Sequence, residues 1–290
     1  MLPDFELYEP RTIEEACRLK KELNARILAG GTDVLVAMHG GESRPDALID
    51  IKNIKELQAM SETEDTLVLG ALTTHRAIED APFFKKNYTA LFEGCSQVGS
   101  VQIRYRGTLG GNICNAVPSA DSIGPLLVFG ALCVISSGNA ERIVPLEEFF
   151  TGPKHTVLKD DEILKELVLP KPRAGTGSCY IKYTRRRAMD LALCGYSILI
   201  ALDGQGVITE ARVALTTSAP IPIRAKNAEA YLLGKKAAEL DKAEFGKISA
   251  SDAKPRSSWR SSAEFRLTLI EELAGRAFGY ALARAKGEEV

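Results

Sequence analysis

Two glycine-rich stretches hold the residue types best suited to chemistry. In the first, Ala29-Gly30-Gly31-Thr32-Asp33 follows the short run Arg26-Ile27-Leu28 and precedes the apolar residues 34–38. The second lies within residues 97–121, where Gly107, Gly110 and Gly111 stand among Thr108, Leu109 and Asn112 and the acid Asp121 closes the run. Glycine tolerates φ > 0 and lets another group approach the backbone closely. A run of unpaired N–H groups forms a concave anion site. A strand that turns into a helix also aims amides and partial positive charge at one point, which suits a phosphate. Each stretch has a plainer reading too: Gly30-Gly31 bends a strand-to-helix turn with Thr32 or Asp33 as N-cap, and Asp121 caps the helix after it. Taken together, the two stretches predict one nucleotide-like ligand whose diphosphate lies between them. Asp121 would accept from a ribose or ribityl hydroxyl. The first loop is neither G-x-G-x-x-G nor a Walker A loop. There is no G-x-S-x-G and no histidine with an obvious partner. Binding loops without acid–base residues suit a redox cofactor that brings its own chemistry.

Spacing outlines the elements that hold these loops. A capping box, Thr12-x-x-Glu15, opens an amphipathic helix ending near Asn24. Strands are expected at 26–28 and 47–51, giving a small βαβ unit, and at 66–70, 131–136 and 162–169. Helical segments are expected at 53–57, from Thr73-Thr74, from Pro82 through Phe92, and after Pro125 within the apolar run 122–130. Residues 170–177, rich in Pro and Gly, read as a linker. Beyond it, strands over 179–184, 193–202 and 207–217, with a turn at Asp203-Gly204-Gln205-Gly206, imply an antiparallel sheet. The tail is helical over 225–233 and 237–245. A last helix opens at Ser261-x-x-Glu264 and presents Phe265, Leu269, Leu273, Ala277 and Ala281 as a core stripe.

The chain has 290 residues, 45% hydrophobic and 26% charged, which suffices for two or three domains with real cores. With a net charge of −1 and no basic stripe, nucleic acid is not expected as a partner. No apolar run approaches the roughly 20 residues of a membrane span, and the first residues lack a signal-peptide pattern, so a cytoplasmic location is expected. Six cysteines without a C-x-x-C spacing and three histidines give no metal cluster; the cysteines read as reduced, buried thiols.

Ala29-Gly30-Gly31-Thr32-Asp33, with Gln102-Ile103-Arg104-x-x-Gly107-Thr108-x-Gly110-Gly111-Asn112 and Pro118-x-Ala120-Asp121, resembles the FAD-binding (medium) subunits of molybdenum hydroxylases. Residues 150–153, 161–164, 188–190 and 255–260 are more narrowly similar to the separate FAD-binding subunit of bacterial xanthine dehydrogenases. The resemblance implies an α+β fold: a two-subdomain FAD-binding (PCMH-type) domain, residues 1–55 and 56–172, then a C-terminal antiparallel sheet with a helical bundle, residues 173–290. It implies an extended FAD held at its diphosphate by Arg26, Ile27, Leu28, Ala29, Gly30, Gly31, Thr32 and Asp33 and by Thr108, Leu109, Gly110, Gly111 and Asn112. Asp121 would contact the ribose or ribityl chain, Leu164 would lie by the adenine or flavin, and Lys182 near the isoalloxazine. Partner subunits would carry the molybdenum cofactor and two [2Fe–2S] clusters. Electrons from a purine would pass through the clusters to FAD and then to NAD⁺.

The same subunit serving nicotinate, an aldehyde or carbon monoxide is an alternative, as are a stand-alone flavin oxidoreductase and a nucleotide-binding module without redox activity. Tyr105 stands where the family more often has asparagine. The chain lacks the cysteine-rich insertion that binds a [4Fe–4S] cluster in some relatives. Three further features have two readings each. Lys182, at a strand end, either places a cation near flavin N1/C2=O or is a surface lysine. Arg185, Arg186 and Arg187 either face a nicotinamide-nucleotide phosphate or form a solvated loop. Trp259 either anchors a subunit contact or is a half-buried core indole.

Overall fold

The computed structural model describes residues 2–23, 25–288 and 290. The chain begins with β1 (Glu6–Tyr8), α1 (Ile13–Leu23), β2 (Arg26–Leu28), α2 (Val34–His39) and β3 (Ala47–Asp50). Both β1 and β2 run parallel to β3, which lies between them. Thr12 Oγ1 accepts from the Glu15 amide at 3.2 Å, while the Glu15 carboxylate reaches back to the Arg11 amide at 3.2 Å rather than to that of Thr12, so half of the capping box forms. The expected helix end at Asn24 lies outside the described residues. The apolar face of α1, including Ile13, Ala16 and Cys17, packs with Ile49 and Ile51 beside β3. That packing fixes the turn after β2 at the edge of this small layer. The three-residue β1, mostly exposed, is too short to show a period and went unread in the sequence.

The second layer contains β4 (Met60–Glu62), β5 (Thr66–Gly70), α3 (His75–Asp80), α4 (Pro82–Asn87), α5 (Thr89–Ser96), α6 (Val101–Arg106), α7 (Leu109–Cys114), α8 (Ile123–Val128), β6 (Leu132–Ser136), β7 (Glu141–Pro145), β8 (Phe150–Gly152), β9 (His155–Thr156) and β10 (Ile163–Pro170). Its five-stranded sheet has the order β4-β5-β10-β6-β7. Leu109 and Ile113 of α7 are buried in the same core as Leu67, Leu69 and Leu167 of the sheet. The helix expected from Pro82 through Phe92 is two helices. Tyr88, with φ −131 and ψ 51, breaks it and buries its ring against Phe84 and Phe129.

In the third layer, β11 (Thr176–Tyr183), β12 (Cys194–Leu202), β13 (Ile208–Thr216) and β14 (Ile223–Arg224) form an antiparallel sheet in that order. Against it pack α9 (Lys226–Leu232), α10 (Lys242–Ser251) and α11 (Ala263–Ala285). Two expectations shift here. The helix expected over 237–245 is a short 3₁₀ turn followed by α10, which starts where the Asp241 carboxylate caps the amides of Ala243 and Glu244. The N-cap of α11 is Ser262 rather than Ser261. Phe265 is therefore turned to solvent, and the buried stripe opens with Arg266 and Leu269. The Arg266 guanidinium satisfies the carbonyls of Leu193 and Thr217. The third layer is locked to the second at Glu93 of α5, which accepts from the Tyr180 amide at 2.7 Å and from Arg284 at 2.6 Å.

Candidate functional site

The two glycine loops touch backbone to backbone. A Cβ on Gly30 would stand 1.9 Å from the Arg106 carbonyl oxygen, so only glycine lets the first loop meet the second. Gly31 takes φ +78, which turns the chain into α2. Among the described residues, the amides of Gly30, Gly31, Thr32 and Asp33 donate to no protein acceptor. Asp33 occupies the N-cap position of α2, as the plain-turn reading has it, but makes no side-chain cap bond. Burial pushes the Asp33 carboxyl above its ordinary range, against the opposing pull of Asn115, Lys154 and Thr32. Four successive unpaired amides make an anion cradle.

The second loop differs from expectation. Leu109 N–H donates to the Thr73 carbonyl and Gly110 N–H to that of Ala71, both at 2.9 Å. Thr108 caps α7: its Oγ1 accepts from Gly111 at 3.0 Å, and its carbonyl accepts from Asn112 at 2.9 Å. The run 109–112 thus has no free amide to offer, because it opens a helix beside the carbonyls of residues 71 and 73. Its glycines serve close approach instead. A Cβ on Gly110 would lie 2.6 Å from the Ala71 oxygen. One on Gly111 would meet Thr108 Oγ1 at 2.9 Å and beyond that only the Ala29 methyl at 4.0 Å, so this face is open toward the first loop. Behind the wall, the buried His75 donates its amide to the Gly107 carbonyl at 3.1 Å. Burial, aided by Arg104, pushes its imidazole down to about 4.

A cleft of about 320 Å³ adjoins the contact, lined among others by Ala29, Gly30, Thr73, Tyr105, Arg106 and Thr108. Thr73 Oγ1 is buried there without a partner. Tyr105 is exposed at the rim with the Arg76 guanidinium 5.3 Å from its ring centre.

Asp121 and Lys182 come together where the second and third layers meet. Lys182 Nζ donates to Asp121 Oδ2 at 2.7 Å and to the Gln97 carbonyl at 3.0 Å, and the Tyr180 hydroxyl donates to Asp121 Oδ1 at 2.7 Å. Both charged side chains are buried. Burial pushes the Asp121 carboxyl up, while Lys182 and Tyr180 pull it down. Asp121 does not cap α8; Ser122 holds the N-cap position without a side-chain bond and donates instead to Asn112 Oδ1 at 2.7 Å. Leu164 is buried in β10 opposite Ile135, beside a bulge, with its side chain in the core of the second layer. Tyr180 went unread in the sequence, although it lies two residues from Lys182 on the same face of a strand. The cysteines are free thiols, all buried except the half-buried Cys114. Among the described residues there is no metal-ligating cluster, and no helix is long and apolar enough to cross a membrane. The site thus offers an anion cradle, a close-packed wall and a buried cation.

Residues 3–172 match the FAD binding domain in molybdopterin dehydrogenase, and residues 179–281 match the CO dehydrogenase flavoprotein C-terminal domain. The chain is 37% identical to the xanthine dehydrogenase FAD-binding subunit of Escherichia coli O157:H7, over 98% of this chain and 99% of that one. It is 34% identical to the nicotinate dehydrogenase FAD-subunit of Eubacterium barkeri, over 80% of this chain and 81% of that one. Its fold superposes on a chain of carbon monoxide dehydrogenase from Hydrogenophaga pseudoflava with a TM-score of 0.92 at 32% identity, covering 98% and 99% of the two chains.

Proposed function

Because the chain belongs to the FAD-binding subunits of the molybdenum hydroxylase family, we propose that it is the electron-transfer subunit of a xanthine dehydrogenase-type enzyme with NAD⁺ as acceptor. Identity along nearly the whole chain to a xanthine dehydrogenase FAD-binding subunit supports the subtype. Bound FAD would supply the redox chemistry that couples one-electron [2Fe–2S] donors to the two-electron acceptor NAD⁺. A molybdenum-binding large subunit and a [2Fe–2S] small subunit are the partners, and the assembly works in the cytoplasm. Residues 1–55, 56–172 and 173–290 serve as the first and second FAD-binding subdomains and the C-terminal domain.

The observation that carries the cofactor assignment is the pairing of four unpaired amides with a wall that a single Cβ would close. The protein's own residues bind and orient. The amides of Gly30, Gly31, Thr32 and Asp33 donate to the diphosphate, with Arg26, Ile27 and Leu28 fixing the strand that delivers them and Ala29 opposite Gly111. Thr108, Leu109, Gly110, Gly111 and Asn112 form the wall. Asp121 holds Lys182 Nζ in place near the isoalloxazine while its remaining acceptor capacity meets a ribityl or ribose hydroxyl, and Leu164 borders the ring system. The test is a purified chain assayed alone and with its partners. It should be yellow and reduced by NADH, and it should respond to xanthine only when the partner subunits are present. Direct reduction of the isolated chain by xanthine would sink the assignment, and turnover of nicotinate in place of xanthine would move the subtype.

A further inference from the structure

A second cleft, of about 270 Å³, opens where β13 and β14 of the third layer face the end of α8 and the start of β6. It lies at the opposite end of α8 from Asp121 and shares no wall with the cleft beside the glycine loops. Its walls include Gly130, Pro145, Glu147, Arg212 and Arg224. The sheet register brings the two arginines together. Arg224 is the partner of Ala214, and Arg212 precedes Ala214 by two residues on β13. Both side chains therefore leave one face of the sheet as diagonal neighbours. Ala214, on that face, is buried in the core of the second layer, so the arginines stand at the boundary between the two layers.

Each guanidinium is anchored at Nε. Arg212 Nε pairs with Glu210 Oε1 at 3.0 Å, and Arg224 Nε pairs with Glu229, which also accepts from the Val213 amide at 2.9 Å. Gly130 fixes Arg212 from the other side: it takes φ +67, and a Cβ there would stand 1.9 Å from Arg212 Nη1. The terminal nitrogens are left over. Among the described residues those of Arg212 find no acceptor, neither a carboxylate nor a carbonyl at the end of α8. Those of Arg224 reach only Glu147 Oε2, 3.7 Å from Nη1, and that oxygen is already taken by Lys226 Nζ at 3.0 Å.

A guanidinium fork with free N–H groups matches carboxylate and phosphate. A cleft at the small end of the range for organic ligands suits a small anion rather than a cofactor. We propose that this cleft binds a small free oxyanion, a phosphate or a carboxylate, gripped by the terminal N–H groups of Arg212 and Arg224. The bound anion ties the third layer to the second, and the Glu147 carboxylate on the wall limits its affinity. The site stands apart from the flavin reading and does not depend on it.

The experiment uses the purified full chain as isolated, with flavin absorbance followed throughout. Thermal unfolding is measured in inorganic phosphate and, separately, in malonate, each against sodium chloride at matched ionic strength. At least one of the two should raise the midpoint saturably above the chloride control. Phosphate acting alone assigns a tetrahedral anion, and malonate acting alone a carboxylate. Arg212→Gln should raise the half-saturating concentration about tenfold or more, through loss of a charge-assisted fork. Arg212→Lys, which keeps the charge without the fork, should raise it severalfold. Glu147→Gln, which removes a carboxylate from the wall, should lower it severalfold. No saturable rise over chloride would overturn the proposal. So would equal titrations of the parent, Arg212→Lys and Glu147→Gln, or a response accompanied by flavin release, which would put the anion in the first glycine loop.

Discussion

In the first glycine loop, four successive amides find no acceptor among the described residues, whereas in the second each amide from Leu109 to Asn112 is already held by Ala71, Thr73 or Thr108. One loop keeps its hydrogen-bonding capacity for a ligand; the other gives it up to become rigid. The difference shows what a binding cleft for an extended anion needs. Donors must stay unsatisfied on one side, at the cost of a weaker local fold. Across from them the backbone must stand still and carry no Cβ. A cleft with free amides on both sides would have nothing to hold its width.

Disturbing the contact between the loops gives the largest effect. Gly30→Val puts a branched Cβ into the Arg106 carbonyl, 1.9 Å from the ideal Cβ position, and neither backbone can yield without parting the loops. Flavin should be lost, and urea unfolding should register a loss on the order of 3 kcal/mol, the upper range for overpacking. A variant that unfolds at the parent midpoint and keeps its flavin would show that the loops are not pressed together in solution.

His75 tests the rigid side by itself. Its folded pKa of about 4 lies below the ordinary 6.5, so the fold keeps it neutral. The stability this confers is complete above pH 6.5 and lost as pH falls from 6.5 through about 4, amounting to roughly 3 kcal/mol at about 1.4 kcal/mol per pKa unit. Asp33 and Asp121, pushed up by burial, act with the opposite sign, and Glu162, held near 2 by Arg142, gives way only below its usual range. The diagnostic quantity is therefore the difference between parent and His75→Leu. The variant should lose less stability between pH 6.5 and 4.5, and its flavin release should lag in the same window. Identical pH profiles would mean that the imidazole is not sealed behind Gly107.

Much of this comparison was hidden in the sequence, and particular residues show why. The strand-turn-helix at Leu28, Gly31 and Val34 was legible because periodicity changes over a few residues. The three-layer order was legible in outline, since the antiparallel sheet alternates cleanly around Asp203-Gly204-Gln205-Gly206. The free amides expected in the second loop are absent among the described residues. Thr108-Leu109-Gly110-Gly111 looks like a nest of free amides until Ala71 and Thr73, more than thirty positions earlier, are seen to fill it. Long-range acceptors leave no local signature. Asp121 was singled out, but its pairing with Lys182 and Tyr180 across sixty residues was likewise invisible, although the i, i+2 placement on β11 hinted that those two share a face. The split at Tyr88 and the Ser262 cap depend on which ring or hydroxyl packing selects, a choice that spacing leaves open by one residue.

Gly111→Val separates binding from folding on the wall itself. Its Cβ would press only on Thr108 Oγ1 at 2.9 Å and otherwise face Ala29. The fold should lose about 1 kcal/mol, as for a damaged cap, while flavin occupancy should fall at least about tenfold because the branch stands where the ligand must approach. Full occupancy in a folded variant would place the diphosphate elsewhere.

The smallest effect sets the two loops side by side through their N-cap residues. Thr108 makes a cap bond and Asp33 does not. Thr108→Ala should therefore cost about 1 kcal/mol in urea unfolding and release the Gly111 amide, while Asp33→Ala should change stability by no more than about 0.5 kcal/mol. In flavin affinity the gap between the two variants should widen in the same order. Removing Asp33 takes a carboxylate from beside the anion cradle, so FAD retention should hold or rise, whereas loosening the wall at Thr108 should lower it severalfold. Equal stability losses in the two variants would mean that Asp33 caps α2 after all, and the contrast between a ready loop and a rigid one would collapse into two ordinary helix starts.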